Sequence, residues 1–364
     1  MKPLGVLIID DSALIRRSLT EILKAHPDIE VMGTASDGLI GLEKISTLKP
    51  DVVLLDIHMP RMDGLQVLQQ VMKTQPLQII MFSSVVTSEA EITLQALRLG
   101  AVDFLAKPKG SLTENLRYLS RELIVKVKAA QEAKLLLNGR NHPRLPPGNG
   151  KSDVSQPHSS LPSRPNFPIS DDQPLIVIGC STGGPKVLEE IIPALPPDFS
   201  AAIGIVQHMP EPFSRVFAKN LDQMSAVKVK IAAHGEPFRS GQILMAPGDA
   251  NLRVVSREGT VVALLERLPE KGFGWMPSVD TLFSSAARAM ADRTLGILLT
   301  GMGRDGVKGM AAIKIMGGRT IAQDESSSIV FGMPRAAIES GTVDQVLPSR
   351  EIPDLLMNYS KNRH

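Results

Sequence analysis

The chain has 364 residues, more than one hydrophobic core ordinarily serves, and length alone suggests about two domains. Its 40 Lys and Arg against 38 Asp and Glu leave a net charge of +2, which argues against a nucleic-acid surface, and its one cysteine, Cys180, excludes an internal disulfide. With no signal-peptide pattern before the first apolar run and no run near the roughly 20 residues of a spanning helix, the expectation is a cytoplasmic protein without membrane insertion.

Apolar runs at 5–9, 29–34, 52–55, 78–82 and 102–105 alternate with helical periodicity at 14–23, 39–45, 65–71 and 92–97. Such alternation predicts an α/β fold with a doubly wound parallel sheet. Ligands of these sheets gather beyond the carboxyl ends of the strands, at the switch point of the strand order. Four of the runs end there in a matching polar set: Asp10 with Asp11, Asp56, Ser83, and Lys107 before Pro108. Asp10 and Asp11 offer the hard oxygen ligands that Mg²⁺ prefers. Asp56 offers a carboxylate nucleophile able to form an acyl phosphate, and Lys107 a countercharge for phosphoryl oxygens. Alone, Asp10-Asp11 reads equally well as a solvated loop or an N-cap; Asp56 and Lys107 at neighbouring strand ends turn the reading toward a site.

Asp10-Asp11-Ser12, Leu55-Asp56-Ile57-His58-Met59-Pro60, Met62-Asp63-Gly64, Ser83-Ser84 and Ala101-Val102-Asp103-Phe104 ahead of Lys107-Pro108 together resemble a response-regulator receiver domain. The resemblance covers the first third of the chain. It implies Mg²⁺-dependent phosphotransfer from a histidine kinase to Asp56, with Asp10, Asp11 and Asp56 at the metal and Ser83 and Phe104 shifting on phosphorylation.

Residues 116–137 read as one long amphipathic helix, and 138–174 as a Pro/Ser/Asn/Gly-rich linker too poor in apolar residues to offset ordering entropy. The expected division is a receiver over 1–125, a helix extension and linker over 126–173, and a second domain over 174–364.

There the pattern restarts with an apolar strand at 175–179, the turn Cys180-Ser181-Thr182-Gly183-Gly184-Pro185 and a helical stretch at 187–192. A strand passing through small residues into a helix sets Ser181 near free N–H groups and a positive dipole end, suited to a developing oxyanion. Alone this turn is a weak motif. A nucleotide-phosphate loop is the alternative, although neither the Walker ending nor a Gly-x-Gly-x-x-Gly spacing is present. The next strand, 202–206, ends in Gln207-His208-Met209-Pro210 and offers a base; His234, in a surface-type turn, is its competitor. A further strand, 295–299, leads through Thr300-Gly301-Met302-Gly303-Arg304 to Asp305, which reads either as a helix N-cap or as the group that orients the imidazole. The order Ser, His, Asp differs from that of the α/β-hydrolases and points to a distinct hydrolase on a Rossmann-like sheet.

Gly179-Cys180-Ser181-Thr182-Gly183-Gly184-Pro185, Gln207-His208-Met209-Pro210, Ala246-Pro247-Gly248-Asp249, Pro277-Ser278-Val279-Asp280, Leu299-Thr300-Gly301-Met302-Gly303-Arg304-Asp305-Gly306, Ala322-Gln323-Asp324 and Phe331-Gly332-Met333-Pro334 resemble the catalytic domain of the chemotaxis methylesterases, the CheB family. That resemblance implies hydrolysis of glutamate methyl esters on methyl-accepting chemoreceptors, with methanol released, and deamidation of receptor glutamines. It implies Ser181 as nucleophile, His208 as base and then acid, Asp305 as its orienting group, and backbone near Thr182 and Met302 at the oxyanion. It further implies that the unphosphorylated receiver covers the cleft, and that hydrolysis needs no cofactor. Many relatives carry an Arg-His pair before Pro-Ser-Val-Asp where this chain has Gly274-Trp275-Met276, which bears on the rim of the site. A thiol nucleophile at Cys180 is a competing reading, as is a phosphorylation-dependent adaptor without catalysis. A DNA-binding output is disfavoured, since no basic recognition stretch follows the linker.

Overall fold

The computed structural model describes residues 2–84, 86–107, 112–137, 167–170, 173–267 and 276–361. The first half comprises β1 (Leu4–Ile9), α1 (Ala13–Lys24), β2 (Ile29–Ala35), α2 (Gly38–Leu48), β3 (Val52–Asp56), α3 (Gly64–Thr74), β4 (Gln78–Ser84), α4 (Thr87–Leu99), β5 (Asp103–Lys107) and α5 (Leu112–Leu137). Its strands form a parallel sheet in the order β2-β1-β3-β4-β5. Every residue of β1 and β3 is buried, as expected of strands covered by helices on both faces, and this is why they read as unbroken apolar runs. Side chains define the helix starts: Ser12 caps α1, Asp37 accepts from Leu39 N and Ile40 N, and Asp63 with Gln66 closes a capping box on α3. β5 runs past the apolar stretch through Lys107, because Ala106 and Lys107 still pair with Ser83 and Ser84.

The second half comprises β6 (Leu175–Cys180), α6 (Gly184–Ile191), β7 (Ala202–Gln207), α7 (Glu211–Met224), β8 (Lys228–Ile231), β9 (Gln242–Met245), β10 (Asn251–Arg257), β11 (Thr260–Glu266), α8 (Val279–Met290), β12 (Thr294–Leu298), α9 (Val307–Ile315), β13 (Arg319–Gln323), α10 (Met333–Glu339), β14 (Gln345–Leu347) and α11 (Ile352–Lys361). A second parallel sheet has the order β14-β13-β12-β6-β7-β9-β8, so two doubly wound α/β sheets are present, as expected. Its switch point lies at β6, whose neighbours β7 and β12 are reached by chain leaving in opposite directions.

One element breaks the alternation. β10 and β11 form a separate antiparallel hairpin turned by Glu258 and Gly259, both at positive φ, the geometry that matches strand twist in a two-residue loop. It packs on α8. Residues 167–170, which composition assigns to the linker, run against this unit. Ile169 is buried, donates its N–H to Phe238 O at 2.9 Å and accepts from Val261 N at 3.1 Å, and Phe167 O accepts from Ser240 N at 3.0 Å, so the segment is held to the core by main-chain bonds around one buried isoleucine.

The two halves share a core. A single apolar cluster runs from Leu97 and Phe104 of the first sheet's helices and strands to Phe213 and Phe217 of α7. A second joins Leu119 and Leu123 of α5 to Val330, with Met302 and Ile329 packed against it. Among the described residues no helix is long and apolar enough to cross a membrane.

Candidate active site and phosphoacceptor pocket

In the first sheet, the ends of β1, β3 and β5 bring Asp10, Asp11, Asp56 and Lys107 together. One oxygen from each of the three carboxylates lies within 4.8 Å of the others, a cluster able to hold a hard divalent cation. Lys107 Nζ lies 2.7 Å from Asp56 Oδ1 and 3.2 Å from Asp10 Oδ2. Asp10 Oδ1 accepts from Ser12 N at 2.8 Å, while Oδ2 faces the Lys107 ammonium at 3.2 Å. Burial pushes the Asp56 carboxyl up to about 6; the Lys107 bond opposes this and the Asp10 charge adds to it. Asp10 is also raised, again chiefly by burial. Lys107 is raised although burial works against it, because the Asp56 and Asp10 charges prevail.

Ser83 and Phe104 have partners on the helices beyond the carboxylates. Ser83 is buried against α4, where its hydroxyl donates to Glu89 Oε2 at 3.3 Å and accepts from Thr93 Oγ1 at 2.8 Å. Phe104 stacks on Phe213 of α7, with ring centroids 4.4 Å apart.

In the second sheet Ser181, His208 and Asp305 follow β6, β7 and β12, three adjacent strands. Main-chain bonds hold the three loops together: Ser181 N donates to Thr300 O at 3.0 Å and His208 N to Cys180 O at 3.1 Å. Gln207, in register with Cys180, donates from Nε2 to Ser181 O at 2.9 Å and to His208 O at 3.1 Å. Thr300 donates its hydroxyl to Thr182 O at 3.0 Å. Gly301 must be glycine, since a Cβ there would stand 2.8 Å from that of Ser181; Met302 follows directly. Ser181 thus precedes α6, with Gly183 in the left-handed region as N-cap.

His208 Nε2 lies 2.8 Å from Asp305 Oδ2, and the two side chains are 6% and 9% exposed. Asp305 also accepts from Val279 N at 2.8 Å, Asp280 N at 2.9 Å and Ser278 Oγ at 3.1 Å. Burial would raise its carboxyl, but the His208 bond and charge and the amides of Asp280 and Val279 hold it below the usual range. His208 thus presents Nε2 to its carboxylate, where the chymotrypsin template presents Nδ1.

The competitors fall away. His234 is exposed, its Nδ1 accepting from Leu265 N at 3.2 Å. Cys180 is fully buried with Sγ 3.0 Å from Gln207 Oε1, and burial pushes its thiol far up, which removes the thiolate a nucleophile needs. Trp275 lies outside the described residues.

The CheB methylesterase family model matches residues 176–356, and the response regulator receiver domain model matches 6–117. A protein-glutamate methylesterase/protein-glutamine glutaminase of Symbiobacterium thermophilum is 44% identical over 98% of this chain and 96% of its own. The chain belongs to the CheB family. A protein of the same description from Pyrococcus abyssi is 42% identical over 98% of this chain and 93% of its own. The crystal structure of the Thermotoga maritima CheB methylesterase catalytic domain matches with a TM-score of 0.50 and 41% identity, covering 51% of this chain and 98% of that one.

In this CheB family member the receiver sits on the cleft, through residues to which the motifs assign no such role. Asp103 Oδ2 accepts from Thr182 Oγ1 at 2.5 Å, one residue from Ser181. Lys126 Nζ lies 3.0 Å from Asp103 Oδ1, 3.4 Å from Glu122 Oε1 and 2.5 Å from Phe104 O, and so neutralises the buried acids. Glu122 is raised by burial, against which the Lys126 charge and, more weakly, His208 act. Arg98 reaches Glu189 of α6 through Nε at 2.9 Å and an Nη at 2.7 Å. The available sequence signal was polarity where apolar residues are expected: Asp103 opens a strand, Lys126 lies on a buried helix face, and Gln207 ends a buried strand.

Since the Asp56 carboxyl stands at about 6 in the fold against 3.8 unperturbed, its ionised form destabilises the receiver above pH 6, and the penalty fades as pH falls toward 3.8. Asp56→Asn should raise the thermal midpoint at pH 7 by roughly 2–8 °C in metal-free buffer, the shift that about 1 kcal/mol gives. Calorimetry at pH 7 and pH 4 checks this: the gain should vanish at pH 4, and equal shifts at both would exclude the carboxylate charge as its cause.

Proposed function

We propose that the chain is a phosphorylation-activated serine hydrolase that removes methyl groups from glutamate methyl esters of chemoreceptors, and deamidates receptor glutamines, within a two-component chemosensory system. The observation that carries this reading is the 2.8 Å His208–Asp305 pair beside the Ser181 turn, at the switch point of a sheet shared with the CheB family.

In this mechanism Ser181 Oγ attacks the ester carbonyl while the His208 imidazole takes its proton. Asp305, held ionised by the amides that open α8, stabilises the imidazolium. Backbone at Thr182 and Met302 faces the developing oxyanion, a contribution worth roughly 10²–10³-fold per donor. Collapse expels methoxide, which leaves as methanol with the His208 proton. Water then adds to the acyl-Ser181 carbonyl, giving its proton to His208, and the glutamate carboxylate departs as Ser181 is reprotonated. A glutamine side chain follows the same course with ammonia as leaving group. No step calls on a cofactor.

The receiver supplies control. Asp10, Asp11 and Asp56 are the residues that would hold Mg²⁺, since each brings one carboxylate oxygen within 4.8 Å of the others. When bound, the ion shields the negative charge of the incoming phosphoryl group. Asp56 takes the phosphoryl group from a histidine kinase, and Lys107 moves its ammonium from the two carboxylates to the phosphoryl oxygens. Ser83 and Phe104 then shift. Phe104 is the residue through which the pocket reaches α7, and Asp103 beside it holds Thr182.

Methanol release from methylated chemoreceptor membranes tests the reading. Ser181→Ala should lower it by roughly 10⁴-fold or more. Phosphodonor with Mg²⁺ should stimulate the intact chain and leave Asp56→Asn at its basal rate. Release that survives Ser181→Ala, or stimulation that survives Asp56→Asn, sinks the corresponding half of the proposal.

The Arg98–Glu189 contact offers a separate test of receiver docking. Arg98→Glu sets two carboxylates against each other and should raise basal release by roughly two- to five-fold without phosphodonor. Adding Glu189→Arg should return the rate toward that of the unaltered chain. Unchanged basal rates in both variants would exclude this contact as part of the brake.

A further inference from the structure

We propose that Asp280 is a positioning residue for the catalytic pair, acting by an exchange of carboxylates between the N-termini of α8 and α9. The inference rests on the hydrolase reading above and concerns how Asp305 is held.

Asp305 lies in the chain just before α9, yet its carboxylate serves α8. Oδ2 accepts from Val279 N at 2.8 Å, Oδ1 from Asp280 N at 2.9 Å, and the α8 N-cap Ser278 adds its hydroxyl at 3.1 Å. Asp280, in the first turn of α8, returns the interaction. Its Oδ1 accepts from Gly306 N at 2.9 Å and Gly309 N at 2.8 Å, the amides that open α9. The α9 N-cap is Gly306, which has no side chain to offer, so Asp280 takes the place of a cap.

The exchange closes on the catalytic residue itself. Gly306 N belongs to the peptide unit that follows Asp305. Asp280 therefore anchors the backbone of Asp305, while Asp305 anchors the backbone N–H of Asp280. A swing of that peptide would carry the Asp305 carboxylate away from His208 Nε2, and Oδ2 has little room to move because it serves both His208 and Val279. The approach that makes this possible is tight: a Cβ on Gly309 would stand 3.3 Å from the Asp280 Cα. On the other side Asn251 of β10 accepts from Ser278 N at 2.8 Å, tying the hairpin to the same corner.

Burial raises the Asp280 carboxyl, the Gly309 and Gly306 amides oppose this, and the Asp305 charge adds to it. Two acids can stand this close because each rests on the positive end of the other's helix.

The test compares Asp280→Ala with Asp280→Asn in the full chain, reading kcat and KM for methanol release, thermal unfolding, and the low-field proton signal of the His208–Asp305 hydrogen bond, assigned with His208→Ala. Asparagine keeps an oxygen for both amides and alanine does not. Asp280→Ala should lower kcat by roughly 10–100-fold with little change in KM, the penalty for a misplaced catalytic group, and should shift or abolish the low-field signal. Asp280→Asn should restore most of kcat and the signal. A folded Asp280→Ala protein with unaltered kcat and signal overturns the proposal, as do equal losses in the two variants. If Asp280→Ala does not fold, the signal in Asp280→Asn decides alone: retained, it supports the acceptor role; lost, it refutes it. Absence of methanol release from the unsubstituted chain would refute the hydrolase reading, while the proton signal would still report on Asp280.

Discussion

The second half of the molecule depends on the pairing of β6 with β7 on one side and β12 on the other. Parallel strands present their carboxyl ends at the same edge, so three segments far apart in sequence deliver a serine, a histidine and an aspartate to one place. The main-chain bonds from Ser181 to Thr300 and from His208 to Cys180 continue the sheet's hydrogen bonding beyond its last strand residues. The loops are thus extensions of the ladder. The receiver repeats the scheme with acids and a lysine, which makes the protein two switch-point sites facing different chemistry.

Much of this was legible because buried parallel strands leave long apolar runs, and a polar residue that ends such a run stands out. Asp56, Ser181, His208 and the strand that carries Asp305 are all of this kind. The β10–β11 hairpin was not legible, since the apolar run at 261–265 does not reveal that it pairs antiparallel with the strand before it and not within the parallel sheet. Nor was Ile169, in a stretch rich in polar residues and proline, whose value appears only when Phe238 and Val261 are beside it. The contacts of Asp103, Glu122 and Lys126 were out of reach for a deeper reason: a single chain records which residues are polar, not which distant polar residue satisfies them. Ser278 and Asp280 fall between these cases, visible as a motif yet without an assigned task until the two helix ends are seen together.

The contact between the halves is built from dissimilar parts. Phe104 and Phe213 contribute apolar area, while Asp103, Glu122 and Lys126 enter the same interface as buried ionic groups. Buried ion pairs contribute little net stability against their hydrophobic equivalents, but leaving one partner unmatched is costly. Such an interface favours the one register in which its ionic groups are matched. The regulation proposed above calls on that property more than on strength.

The Thr182 hydroxyl bonded to Asp103 has a thermodynamic corollary. Under the proposed mechanism, a substrate seated against Ser181 and the docked β5 edge meet at Thr182, and to the extent that they exclude one another each weakens the other's hold by an equal free energy. On that reading occupants of the cleft act as effectors of the phosphoacceptor pocket. A cleft filled with substrate favours the undocked receiver, and with it the phosphorylated form, so the load on the enzyme is transmitted backward to the residue that receives the signal.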